Sequence, residues 1–103
     1  MNEEIEALRD SVKNAPDASD RIGAFFLLVG HLEVTWNDLL LGLESNMHEI
    51  IRNHATGTLY AALNEPSKKT DVPIMDPNEW ERKIREKGYD MNAKVRDRDK
   101  KRI

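Results

Sequence analysis

Between Asn2 and Ala15 the apolar residues Ile5, Leu8, Val12 and Ala15 recur three, four and three positions apart, which sets them in one stripe of an α-helix. Glu3, Glu4 and Glu6 in its first turn suit the positive end of the helix dipole. Pro16 then ends the helix, because the residue before a proline is pushed out of helical geometry. The capping side chains of Asp17 to Asp20 open a longer pattern. A seven-residue repeat starting at Ile22 passes through Phe26, Val29, Glu33, Trp36, Leu40, Leu43, Met47, Ile50 and His54, with Glu33 and His54 as its non-apolar members. Phe25, Leu28, Leu32 and Leu39 form a second stripe beside it, so the first half of this segment is apolar over a wide arc that needs cover on more than one side.

One helix over residues 18–55 would be about 57 Å long, whereas a compact domain of this size has a radius of gyration of roughly 13 Å. The segment therefore either breaks or finds a partner. Gly30 and Gly42 are places to bend, and Thr35 with Asp38, or Asn46 with Glu49, could cap a new helix. A bend near Gly30 would turn Glu33 to solvent and Leu32 inward. Gly57, preceded by Arg52 and His54, reads as a helix end, and Leu59, Ala62 and Leu63 as a short helical piece closed by Pro66.

Residues 66–75 have a linker composition, with Pro66, Ser67, Lys68, Lys69, Thr70 and Pro73. In Asp76-Pro77-Asn78-Glu79 a capping carboxylate precedes a proline at the first helical position, and Glu79 stands three residues after the cap. Gly88 fits the left-handed position at the far end, with Tyr89 placed to pack back on Ile84. Trp80 and Ile84 give this helix a small apolar face for the body or for another chain. After Asp90 the larger aliphatic residues are Met91, Val95 and Ile103 among many charges, a composition that predicts a frayed helix or flexible tail. The organisation predicted is a helical body over 1–65, a linker over 66–75, a separate C-terminal helix over 76–89 and a charged tail over 90–103. The fold class is all-α, a small helical hairpin or bundle built on one long helix, straight or kinked.

At 103 residues the chain is long enough for one domain with one modest core. Cysteine is absent, which removes disulfides, thiolate metal sites and thiol nucleophiles together. The sequence starts acidic where a secretory signal starts basic, and its longest mainly apolar run, Ile22 to Gly30, is far shorter than the ~20 residues that cross a bilayer. The expectation is a soluble, cytoplasmic protein without membrane attachment. The net charge of −3 divides unevenly: residues 1–66 hold 11 acidic and 4 basic side chains, net −7, and residues 67–103 hold 8 and 12, net +4. A basic end on an acidic body can fold back on that body, or meet a nucleic acid or an acidic protein surface.

Candidate chemistry is sparse. His31, His48 and His54 form no metal pattern, and only Glu44 with His48 stands at helical spacing. Arg52 and His54, with one residue between them, miss the wider Arg-to-His spacing of the HEPN type of helical ribonuclease. No phosphate-cradling glycine loop and no Ser/His/Asp grouping is present, and no cofactor is implied. The first helix offers too little apolar surface to cover residues 22–40, which points to self-association or to a protein partner. The reading is a non-enzymatic interaction protein, an assembly component or small inhibitor or adaptor. Its candidate contacts are Phe25, Phe26, Leu28, Leu32, Trp36, Leu39, Trp80 and Ile84. The alternative is an oligomeric nucleic-acid-associated factor holding phosphates with Lys94, Arg96, Arg98, Lys100, Lys101 and Arg102.

Overall fold

The computed structural model describes residues 3–65 and 76–96, and these form five α-helices. The first, α1 (Glu3–Asn14), buries Ile5 and Val12 along its predicted stripe. It lies against α2 (Ala18–Gly30), which follows after Pro16 and Asp17 and buries Ala24, Phe25 and Leu28. Arg21 ties the corner by donating to the Ala15 carbonyl.

The segment from residue 18 to 55 breaks twice. Beyond Gly30 the chain turns extended at His31, whose N–H returns to the Leu28 carbonyl. Thr35 then starts α3 (Trp36–Leu41): its hydroxyl accepts from the Asp38 N–H at 3.3 Å, and its own N–H donates to Asp38 Oδ2 at 2.9 Å. This reciprocal capping box is the one written in the sequence. Glu33 accordingly sits in the turn, its N–H donating to His31 Nδ1, while Leu32 points outward and not inward.

The second break follows Gly42, where a side chain has no room. A Cβ there would stand 2.5 and 2.7 Å from two carbons of the Phe25 ring and 2.9 Å from Ala55 Cβ. The backbone at the end of α3 thus rests directly on α2 and on the next helix, α4 (Glu49–Leu63). That helix is capped by His48, whose Nδ1 accepts from the Ile50 N–H, and not by Asn46.

Gly57 does not end α4. The buried series Ile51, Ala55, Leu59, Ala62 and Leu63 continues past it, and that packing outweighs the ~1 kcal/mol by which glycine disfavours a helix interior. The end comes at Asn64, which takes the left-handed conformation predicted for the glycine, with φ 55°. The linker at 66–75 lies outside the described residues.

The start of α5 (Pro77–Glu86) matches its sequence signal, Asp76 Oδ1 accepting from the Asn78 N–H at 2.9 Å. Its end does too: Gly88 has φ 89°, its N–H donates to the Arg85 carbonyl, and the Tyr89 N–H donates to the Ile84 carbonyl, the pair of bonds of a Schellman motif. This helix is not separate from the body. Trp80 and Ile84 are fully buried, Trp80 meets Tyr60 edge-on at 5.0 Å, and Lys83 pairs with Glu65 at 3.1 Å.

Residues 91–96 are not a loose tail. The first N–H groups of α3 have no partners within their helix. They are met from this segment: Trp36 donates to the Ala93 carbonyl and Asn37 to the Met91 carbonyl. Val95 donates to the Val34 carbonyl at 2.8 Å, and the Thr35 and Lys94 backbones pair antiparallel. Met91 and Val95 are buried, and Tyr89 stacks on Trp36 at 5.2 Å. The segment is a strap across the start of α3. Residues 97–103 lie outside the described residues.

Candidate interaction surface

The fold sorts the eight predicted contact residues into two groups. Phe25, Leu28, Trp36, Leu39, Trp80 and Ile84 are interior, each at most 1% exposed. They hold the protein together and offer nothing to a partner, because α4, α5 and the strap supply the cover that α1 alone could not. Phe26 and Leu32 are at the surface, 45% and 74% exposed.

Two residues outside the eight predicted contacts are also at the surface: Leu27, 65% exposed, and Ile50, a member of the seven-residue repeat, 47% exposed. The signal for Leu27 was in the chain. Phe25 to Val29 are five consecutive large apolar residues, more than one full turn, so a helix packed on one side must turn some of them to solvent.

Phe26, Leu27 and Leu32 lie along one groove of about 660 Å³, with Leu8 of α1 and Gly30 completing its apolar lining and Glu4, His31 and Glu33 its polar lining. The groove runs between the start of α1 and the end of α2, where the chain turns extended at His31 and Leu32 just beyond joins the lining. On α2, Gly23, Phe26, Leu27 and Gly30 share one face at three, four and seven residues' spacing. A Cβ at Gly23 or Gly30 would meet nothing within 4 Å, so the backbone itself is approachable beside the two large side chains. On the other side of Phe26 its ring lies against His54 at 4.3 Å, one turn of α4 after Ile50.

The histidines serve the fold. His31 accepts the Glu33 N–H and faces Glu4 at 3.6 Å, and His48 caps α4. His54 sits between Phe25 and Phe26, and this burial holds its imidazole below the ordinary value of 6.5. Among the described residues no three His, Asp or Glu side chains converge as metal ligands would. No helix of the described residues is long and apolar enough to cross a membrane.

The basic residues do not assemble into one patch within the described chain. Lys94 is exposed on the strap. Arg96 donates from Nη2 to the Val29 carbonyl at 2.9 Å, closing the last turn of α2, so it has a structural partner. Arg98, Lys100, Lys101 and Arg102 lie outside the described residues.

A second groove, of about 370 Å³ between α1 and α3, is spanned by the Arg9–Asp38 pair. Arg9 donates from Nε and Nη2 to the two Asp38 oxygens at 2.7 and 2.9 Å, a two-pronged, charge-assisted geometry in which the Asp38 side chain is buried. Asp38 therefore serves the capping box and the α1–α3 contact at once. Lys13 and Glu44 on the same walls balance each other, and no net charge is left to select a ligand.

No protein-family model matches this chain, and no match is found among curated proteins or solved structures.

Proposed function

We propose that this chain is a non-enzymatic interaction protein, a component of an assembly or a small inhibitor or adaptor, that works by pressing the α1–α2 groove against a protein partner. The partner is another copy of the chain or a different protein. The observation that supports this reading is the exposure of Phe26, Leu27 and Leu32 along a single groove. Scattered exposed leucines are ordinary on protein surfaces, but large apolar side chains gathered in one concavity with polar edges are the usual form of a docking site. Aromatic and aliphatic anchors of this kind carry most of the binding energy at such interfaces.

The test compares the native sequence with a Leu27→Ser/Leu32→Ser double variant in the cells the protein comes from. Both side chains are mostly in water, so the variant keeps its thermal midpoint. The native protein co-purifies with a partner at fixed stoichiometry and the variant does not. Equal recovery with both would remove the groove as the binding surface.

A further inference from the structure

Leu32 reaches the groove through a turn that depends on one protonation state of a histidine. His31 ends α2 in extended geometry, and its Nδ1 accepts from the Glu33 N–H at 3.0 Å, so the two residues close a short turn around Leu32. A ring nitrogen that accepts carries no proton. The one hydrogen of the neutral imidazole is therefore on Nε2, which faces Glu4 Oε2 of α1 at 3.6 Å. Asp76 and Asp90 make the same bond to the N–H two residues on, but through a carboxylate oxygen. His48 makes it too, at the start of α4 and away from the groove lining. His31 is the case in which a titrating acceptor sits in the groove itself.

A second proton can enter the ring only at Nδ1, where it meets the Glu33 N–H donor against donor. The surroundings nonetheless draw that proton. Glu4 of α1 and Glu33 of the turn share the groove lining with the ring, and the negative end of α2 lies directly behind it. On the neighbouring strap Arg96 is bound to the Val29 carbonyl, and from α4 His54 packs on Phe26. Local charge thus favours the imidazolium while the turn requires the neutral ring, and Leu32, 74% exposed, has little packing of its own to hold it in place. We propose that His31 is a pH-operated latch on the groove: in mild acid its imidazolium keeps Glu4, releases the Glu33 N–H and carries Leu32 out of the apolar lining. This rests on the groove being the docking site, and its consequence there is a partner held near neutral pH and released in mild acid. Histidine protonation operates interface switches of this kind.

The experiment follows the full chain by NMR from about pH 7.5 to about pH 5.5. In the native chain the protection of the Glu33 amide against hydrogen exchange, corrected for the pH dependence of a free amide, falls by about tenfold or more. The Leu32 methyl signals move with the same midpoint as the His31 ring. His31→Asn supplies an oxygen that accepts but does not titrate, and in this variant the Glu33 protection and the Leu32 signals hold steady over the range. His54→Gln responds as the native chain does. Glu33 protection that persists in the native chain in acid, that falls equally in His31→Asn, or that is retained in His54→Gln would overturn the proposal. The co-purified partner supplies the second readout. The fraction kept after a wash at the lower pH, relative to the higher, drops about tenfold for the native chain and stays near one for His31→Asn. A partner kept equally by both would overturn the latch and leave the docking site standing. Equal recovery by the native chain and Leu27→Ser/Leu32→Ser near neutral pH would overturn the docking site, and the proposed release with it, even where the turn still opens.

Discussion

Gly42 shows how one missing side chain sets the packing of three helices. The Phe25 ring and Ala55 occupy the space a Cβ would need, so Gly42→Ala forces the end of α3 away from α2 and α4. The expected loss is about 1–3 kcal/mol, read from the urea midpoint. Gly57 is the contrasting case: it lies exposed inside α4 with open space around it, and Gly57→Ala raises stability by about 0.5–1 kcal/mol in the same assay. His54 gives the residue scale its pH dependence. Burial between Phe25 and Phe26 lowers its affinity for a proton, so the unfolded chain protonates first as the pH falls below about 6.5. Its contribution to stability is complete above that value and is lost as the pH falls through the lower, folded-state value. A native chain whose urea midpoint drops from about pH 7.5 to about pH 5.5 more than that of His54→Gln would bear this out, and parallel slopes would contradict it.

The helices were legible where their ends carry local chemistry. Thr35 with Asp38, Asp76 with Pro77, and Gly88 each act within a few residues of themselves, and each marks the boundary it announced. Periodicity alone served less well. The repeat through Ile22, Phe26, Val29, Glu33 and Trp36 reads as one rod, but its members belong to α2, a turn and α3, because helix-compatible spacing says nothing about where the chain turns. Gly57 misled for the opposite reason, since a strong buried stripe carries a helix through a weak residue. The strap was illegible because its hold is mostly backbone: it closes the open start of α3 with the Ala93 and Met91 carbonyls, and only Met91 and Val95 among its side chains hint at burial. Met91→Ala is expected to cost about 2–5 kcal/mol. In the variant the Trp36 and Asn37 amides exchange with solvent faster than those inside α4. If their protection were unchanged, the strap would not be the cap described here. The Arg9–Asp38 pair joins α1 to α3 in a similar way. Arg9→Met leaves a buried carboxylate without its counter-charge and should cost about 3 kcal/mol.

At the scale of the whole molecule the chain measures 38 × 37 × 18 Å with a radius of gyration of 13.5 Å. With helices packing about 8–10 Å apart, the short dimension holds about two layers. A body so thin cannot enclose a helical stretch that is apolar on every side, and Phe25 to Val29 in the second half of α2 is such a stretch. Its inner residues Phe25 and Leu28 are satisfied by the fold, and its outer residues Phe26 and Leu27, joined by Leu32, are left to water. The sequence pattern made the excess visible but not which residues carry it, since that depends on α4, α5 and the strap arriving from distant parts of the chain. The central claim is that this residue of apolar surface is a protein-binding site. Its most direct test is a photo-reactive amino acid placed at Leu32 in the living cell, with the same group at Arg82 on the exposed side of α5 as reference. A discrete cross-linked protein of constant mass from position 32, absent from position 82, is the predicted result. No adduct at position 32, or the same adducts from both positions, would contradict the account.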